Sequence, residues 1–355
     1  MNRQRGFSLI DLMVGLFVGL LVSLAVYGTS SVVGAQRRSS VGGNGALEAG
    51  LAGLTAIQHD IKSAGVGVWV NGATICPTIN IYNGSTIANG AALAPVVITA
   101  GANAQTSDSI TVAFSDSVLA NNGIALTAGM PTATSAMRVT NARGIAANDL
   151  LIVGTPGATT PCTLMQATAT AAAAGGFGWD IAHTTTTWNP ASPSTAFATA
   201  PAYPAGSMIY DIGQFNWLTY RVRNGNLETL NLVTNAVDIV AENVVMMKAY
   251  YGTNNGLTPQ IEQWVAATDA WAAPLDAAHV AAIRAVRIAV VSRSPSPEKP
   301  STAGGSCDAT TTAPTSWTGG PAIDLSSNTN WQCYRYKTLT LVAPLKNVIF
   351  GAGTS

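Results

Sequence analysis

The chain has 355 residues with 17 basic and 17 acidic side chains, and charged residues make up only 10% against 48% hydrophobic. A formal charge of zero with so few charged residues is unlike a nucleic-acid binder, which relies on a concentrated basic surface, and the length allows one large domain or two modest ones. Only His59, His183 and His279 are present, too few and too far apart for a three-histidine metal centre or a closely spaced zincin motif.

The chain opens on MNRQRG, which carries Arg3 and Arg5 and ends in Gly6. From 7 to 36 the only charge is Asp11, and Arg37 and Arg38 close the stretch. A cation-flanked apolar segment of this length predicts a membrane helix. A carboxylate near its start costs free energy unless something pairs with it. Three readings compete. A cleaved secretory signal accounts for the basic start and offers Ser23-Leu24-Ala25 as a cleavage site, but places Asp11 in the apolar region. A plain signal anchor accounts for the length and leaves the acid unexplained. Cleavage after Gly6 makes Phe7 the N-terminus and Asp11 the fifth residue, one helical turn from the terminal amine. There the helix dipole favours a carboxylate, and an amine of the same or a packed neighbouring chain can pair with it. Gly15 and Gly19, four apart, permit close approach of another helix.

Beyond Arg38, residues 39–45 are rich in glycine and serine and predict a bend or break in the helix. Residues 46–64 resume it as an amphipathic segment, with Leu47, Leu51, Leu54, Ile57 or Gln58, and Ile61 at three- and four-residue steps. After Gly65 the helical period stops. Short strands are predicted at 79–82, 96–99, 110–114, 137–140 and 150–153. The tract 168–206, low in charge and crowded with Ala, Thr and Pro, reads as extended surface loop. Its aromatics Phe177, Trp179, Trp188, Phe197 and Tyr203 are read as pins holding the loop to the body, with contact to a ligand as the alternative.

From 207 the strand pattern is clearer. Strands are predicted at 208–212, 217–223 and 226–232, with Asn224-Gly225 as a tight hairpin turn. Another strand lies within 237–251, a short helix near 276–282, and strands at 283–292 and 333–342. Tyr334, Tyr336, Leu339 and Leu341 are core candidates on the last. The fold class is therefore α+β, a long N-terminal helix laid on a mainly antiparallel sheet with long loop insertions. The organisation reads as a leader at 1–6, a membrane helix at 7–36, its amphipathic continuation at 37–64, and a β-rich head at 65–355 with a loop-rich insertion at about 155–206.

Four cysteines, Cys76, Cys162, Cys307 and Cys333, permit three pairings. Beyond a membrane segment that exports the head, disulfides are expected. The local choice joins Cys307 to Cys333 and leaves Cys76 with Cys162. No CxxC spacing suggests zinc. The Gly42-Gly43-Asn44-Gly45 run lacks the lysine of a phosphate loop, the aspartates lack EF-hand spacing, and no serine sits in a nucleophile elbow. No catalytic residue, metal site or cofactor is expected.

The stretch GFSLIDLMV at 6–14 resembles the cleavage and methylation motif of type IV prepilins and type II secretion pseudopilins. The resemblance implies that a prepilin peptidase cuts after Gly6 and methylates Phe7, and that the helices pack in a filament core. Asp11 stands where that family usually has glutamate, reaching about one methylene less. Three further segments resemble the large minor pilins of the PilW family: DIKSAG at 60–65, AVRIAVVSRS at 285–294, and the ending from YRY at 334–336 to PLKNVI at 344–349. This implies a minor pilin that helps initiate a type IV pilus and sits at or near its tip. The implied partners are the prepilin peptidase, other minor pilins, the major pilin, the inner membrane and the pilus assembly machinery. The implied location is the inner membrane, single-pass with a periplasmic head, and then the pilus at the cell surface. Removal of Arg3 and Arg5 would leave 15 basic against 17 acidic residues, a charge of −2. The alternatives are a J-type minor pseudopilin of a type II secretion system, or a membrane-anchored adhesin whose 168–206 loops bind a ligand.

Overall fold

The computed structural model describes residues 9–70, 72–117, 119–254, 258, 260–302 and 304–351, with the backbone alone at 11, 30–39 and 351. Helix α1 is continuous over the 55 residues Leu9–Ser63. The break expected at 39–45 does not occur, because the glycines there have another use. Gly42, Gly45, Ala46, Gly50 and Gly53 recur at helical steps along the face that meets the sheets. A Cβ on Gly42 would lie 3.2 Å from the Ser294 side chain, and one on Gly45 3.2 Å from the Pro295 ring. At Gly50 it would fall 2.5 Å from Leu339 Cδ1, and at Gly53 2.7 Å from Leu227 Cδ2. Glycine costs a helix about 1 kcal/mol relative to alanine; here it lets the helix axis approach the sheet. Ser292 Oγ uses that approach, donating to the Ala46 carbonyl at 2.5 Å.

Further along the same face the small residues give way to large ones. Leu54, Ile57, Ile61 and Ala64 are buried in the main core. Two antiparallel sheets build the rest of it. The first has five strands in the order Val237–Glu242, Asn226–Asn231, Phe215–Arg223, Ser109–Ser115 and Val96–Thr99. The second has four, in the order Gln263–Ala266, Val244–Thr253, Ile283–Arg293 and Tyr336–Pro344. The hairpin expected at Asn224-Gly225 is present, and both residues have the positive φ, 52° and 76°, that such a turn requires. Strand Ile283–Arg293 is buried on both faces: Val286, Ile288 and Val290 enter the main core, and Val291 packs with Met246, Ile323 and Leu325. On the last strand, Leu339 and Leu341 pack against the main core and Tyr336 against the smaller cluster. All three are half-buried, as is Tyr334.

A second body of strands lies within 73–211. Its six-stranded sheet runs Thr86–Ala92, Thr78–Tyr82, Cys162–Gln166, Leu150–Gly154, Met208–Asp211 and Ile124–Ala125. One of its pairs is parallel, Cys162–Gln166 with Thr78–Tyr82. Part of the tract expected as loop is also sheet: Ala169–Ala172 and Trp179–Ala182 pair with each other, and the latter pairs with Met137–Val139. Alanine and threonine gave these strands no apolar alternation to read, since Ile181 is their only fully buried large side chain. Phe197 and Tyr203 are buried and Trp188 half-buried, so these aromatics do pin the tract; Phe177, 90% exposed, does not.

Disulfides join Cys76 to Cys162 and Cys307 to Cys333, with Cα separations of 5.9 and 4.8 Å. The close seat of α1 gives a first prediction. Gly53→Leu should destabilise the protein by about 1–3 kcal/mol, because the four added carbons have nowhere to go beside Leu227. Thermal unfolding of the full chain in mild detergent measures it, and an unchanged midpoint would mean that the helix does not sit this close.

Candidate assembly helix and its seat

The N-terminal half of α1 carries the apolar window Leu12–Thr29, mean hydropathy 2.1, with none of it buried. Leu9, Leu16, Phe17 and Leu24 are each about two-thirds or more exposed. So much apolar surface in water opposes solubility at roughly 25 cal/mol per Å², so the segment requires lipid or protein around it. Its two aliphatic hydroxyls are already satisfied: Ser23 Oγ donates to the Gly19 carbonyl at 2.8 Å and Thr29 Oγ1 to that of Ala25 at 3.1 Å, as a low-dielectric surrounding demands. This is the helix of a membrane anchor or signal. A Cβ on Gly15 or Gly19 would meet nothing within 4 Å. Gly6, Phe7 and the Asp11 side chain lie outside the described residues.

The C-terminal end of α1 is fixed by side chains from distant parts of the chain. Asp60 Oδ2 accepts a 2.7 Å hydrogen bond from the Tyr220 hydroxyl on the five-stranded sheet. The last carbonyls of a helix lack intrahelical donors, and here the Asn347 amide supplies them, donating to Lys62, Ser63 and Ala64 at 3.1 to 3.3 Å. Gly65 then leaves the helix at φ +93° and donates to the Ala113 carbonyl at 3.0 Å. The three segments 60–65, 285–294 and 334–349, remote in sequence, thus form one seat: helix end, central strand, and edge strand with its cap. Sequence reasoning missed Tyr220 and Asn347. An asparagine and a tyrosine without a periodic context carry no signal until the helix end lies beside them.

Burial, and then the Asp60 carboxylate, push the Tyr220 phenol well above its usual range. Its neutral form is therefore favoured in the folded state. That contribution is whole below pH 10, where the unfolded phenol ionises, and falls as pH rises above it. The slope from this one group is about 1.4 kcal/mol per pH unit. Tyr220→Phe should cost about 1–3 kcal/mol at neutral pH and flatten the alkaline loss. Denaturation series at pH 8 and 11 check both, and an equal alkaline slope in the variant would refute the bond.

The remaining buried charges are structural. Lys248 and Asp108 pair inside the core, and Arg284 donates to the carbonyls of Thr258, Ala281 and Ile283. Burial lowers the pKa of Arg284. Among the described residues, no three His, Cys, Asp or Glu side chains gather as a metal-holding group.

Two family matches fall on the parts just described. The family described as Type IV Pilus-assembly protein W matches residues 220–347, and the prokaryotic N-terminal methylation motif matches residues 1–27. The two matches together are consistent with a PilW-type minor pilin involved in pilus assembly. The PilW match begins at Tyr220 and ends at Asn347, the two residues whose side chains hold the end of α1. It covers both core sheets apart from strands Val96–Thr99 and Ser109–Ser115 and the first residues of Phe215–Arg223. The six-stranded sheet and the 169–182 strands lie outside both matches. No curated protein and no solved structure matches the chain. The family is one of non-catalytic assembly components acting in pilus assembly, and its prepilin context implies processing by a prepilin peptidase and assembly with other pilins.

Proposed function

We propose that this PilW-type pilin helps initiate the type IV pilus and takes a place at or near its tip. The carrying observation is the division of α1. Its first half is apolar and bare, while its second half is locked to the head by close packing, Asp60–Tyr220 and the Asn347 cap. Force on the first half is thereby passed to the head through a continuous helix.

In this reading 1–6 is a leader and 7–36 crosses the inner membrane once, with 37–64 as its continuation and 65–355 as a periplasmic head. Cleavage after Gly6 removes Arg3 and Arg5, so drawing the helix out of the bilayer becomes less costly. Methylated Phe7 supplies the amine that Asp11 requires, within the chain or from a neighbour. Gly15 and Gly19 let a second pilin helix approach. The partners are the prepilin peptidase, other minor pilins, the major pilin and the assembly machinery, and the assembled protein is displayed at the cell surface.

N-terminal sequencing of the mature protein should return methylated phenylalanine at position 7. An intact Met1, or a start near Val26, would overturn the reading. Gly6→Ala should block processing and leave the protein in the membrane. Loss of the gene should abolish surface pili while protein secretion survives. The reverse pattern would make the protein a pseudopilin, and normal pili with lost attachment would make it an adhesin.

A further inference from the structure

The feature that pilus assembly leaves unused is a hairpin outside the PilW match. Strands Ala169–Ala172 and Trp179–Ala182 pair in register and join through Ala173-Ala174-Gly175-Gly176-Phe177-Gly178. Gly175, Gly176 and Gly178 have φ of +100°, +79° and +89°, a backbone that carries Phe177 outward to 90% exposure. Gly178 is also sterically required, since a Cβ there would lie 2.5 Å from the Val139 carbonyl oxygen. Hydrogen bonds from Ala173 N to Gly178 O at 3.0 Å and from Gly176 N to Ala173 O at 3.1 Å close the tip. A bidentate pair, Arg138 to Asp180 at 2.8 Å for both bonds, fixes the strand just behind the tip to its neighbour Met137–Val139. The aromatic ring is therefore presented on a built hairpin.

We propose that this hairpin is a finger that enters the interface of a phospholipid bilayer. No charged residue occurs between Asp149 and Asp180, and Asp180 is paired with Arg138, so the tip of the finger carries no charge that opposes transfer from water. Phe177 is at the tip, and Trp179, 41% exposed, is one step behind it. This is the order in which an apolar ring enters the acyl region and an indole stays at headgroup level. Exposed Arg143 follows strand Met137–Val139 in the adjoining loop, which Thr170 Oγ1 ties to the hairpin through the Ile145 carbonyl at 3.3 Å. It makes no ion pair among the described residues and can meet a lipid phosphate.

Area argues against a protein partner. Two aromatic rings bury a few hundred Å² on this side, about half of the roughly 800 Å² that each partner of a standard protein interface buries. A fluid bilayer, in contrast, needs no matching shape. This inference is independent of the assembly reading.

The test holds the full chain by its own apolar helix in lipid nanodiscs and adds separate vesicles. These contain phosphatidylcholine with brominated acyl chains, with or without phosphatidylglycerol. Indole quenching reports on the head alone, because the first tryptophan is Trp69. Vesicles should be captured and fluorescence quenched. Trp179→Phe should remove most of the quenching, and Phe177→Ser should weaken capture about tenfold or more with an unchanged near-ultraviolet dichroism spectrum. Arg143→Ser should reduce only the gain from phosphatidylglycerol. Failure of the wild type to capture vesicles would overturn the proposal. So would capture by Phe177→Ser at the wild-type level, or quenching that survives Trp179→Phe.

Discussion

Replacing Cys76 and Cys162 together by alanine should destabilise the head by about 4–5 kcal/mol, the larger of the two disulfide effects. The bond closes a segment of 86 residues, against 26 for Cys307–Cys333. By loop-closure entropy the shorter bridge contributes about 3.5 kcal/mol. The long bridge is also packed: Cys76 and Cys162 are 2% and 1% exposed within the cluster formed by Ile79, Ile81, Ile152 and Leu164. A Cβ on Gly154 would fall 2.1 Å from Cys162 Sγ, so the neighbouring strand is shaped around the bond. Denaturant unfolding of the full chain in mild detergent should show a lower midpoint for the double variant than for Cys307→Ala with Cys333→Ala. A reversed order would mean that the 76–162 bridge adds little beyond what the six-stranded sheet already provides.

Where side chains alternate strongly, the fold was legible before it was seen. Val286, Ile288 and Val290 announce the central strand of the four-stranded sheet, and Asn224-Gly225 announces the hairpin between Phe215–Arg223 and Asn226–Asn231 in the five-stranded one. The anchor was legible from a single charge in an apolar stretch. Three things were not legible, each for a physical reason. Gly42 and Gly45 read as a helix breaker because propensity is local, whereas the Ser294 and Pro295 side chains that call for small residues are some 250 positions away. The strands Ala169–Ala172 and Trp179–Ala182 lie at the margin with one side mostly in solvent, so their sequence need not alternate. Asn347 acts as a cap through tertiary contact, outside the local grammar of N- and C-caps.

The buried pair between the two core sheets gives the second large effect. Lys248, 4% exposed on strand Val244–Thr253, directs its ammonium at three oxygens. These are Thr106 O at 2.7 Å, Asn103 O at 3.2 Å and Asp108 Oδ1 at 3.4 Å. Asp108, 5% exposed, accepts in turn from Gly101 N at 2.9 Å and Ala249 N at 2.8 Å. The turn at 100–108, which joins two strands of the five-stranded sheet, is thus fastened to the four-stranded one, and α1 rests on both. Burying two charges is costly, so the intact pair adds little net stability over an apolar pair. Removing one partner is different, because it strands the other in the core. Lys248→Met should therefore cost about 3–5 kcal/mol, leaving a carboxylate and two carbonyls without their donor. Adding Asp108→Asn should recover part of the loss: the amide is neutral and its oxygen can still accept one of the two backbone N–H groups. A double variant no more stable than Lys248→Met in denaturant unfolding would show that the charge on Asp108 is not what makes the single change costly. The lost contacts of the 100–108 turn would then carry the effect.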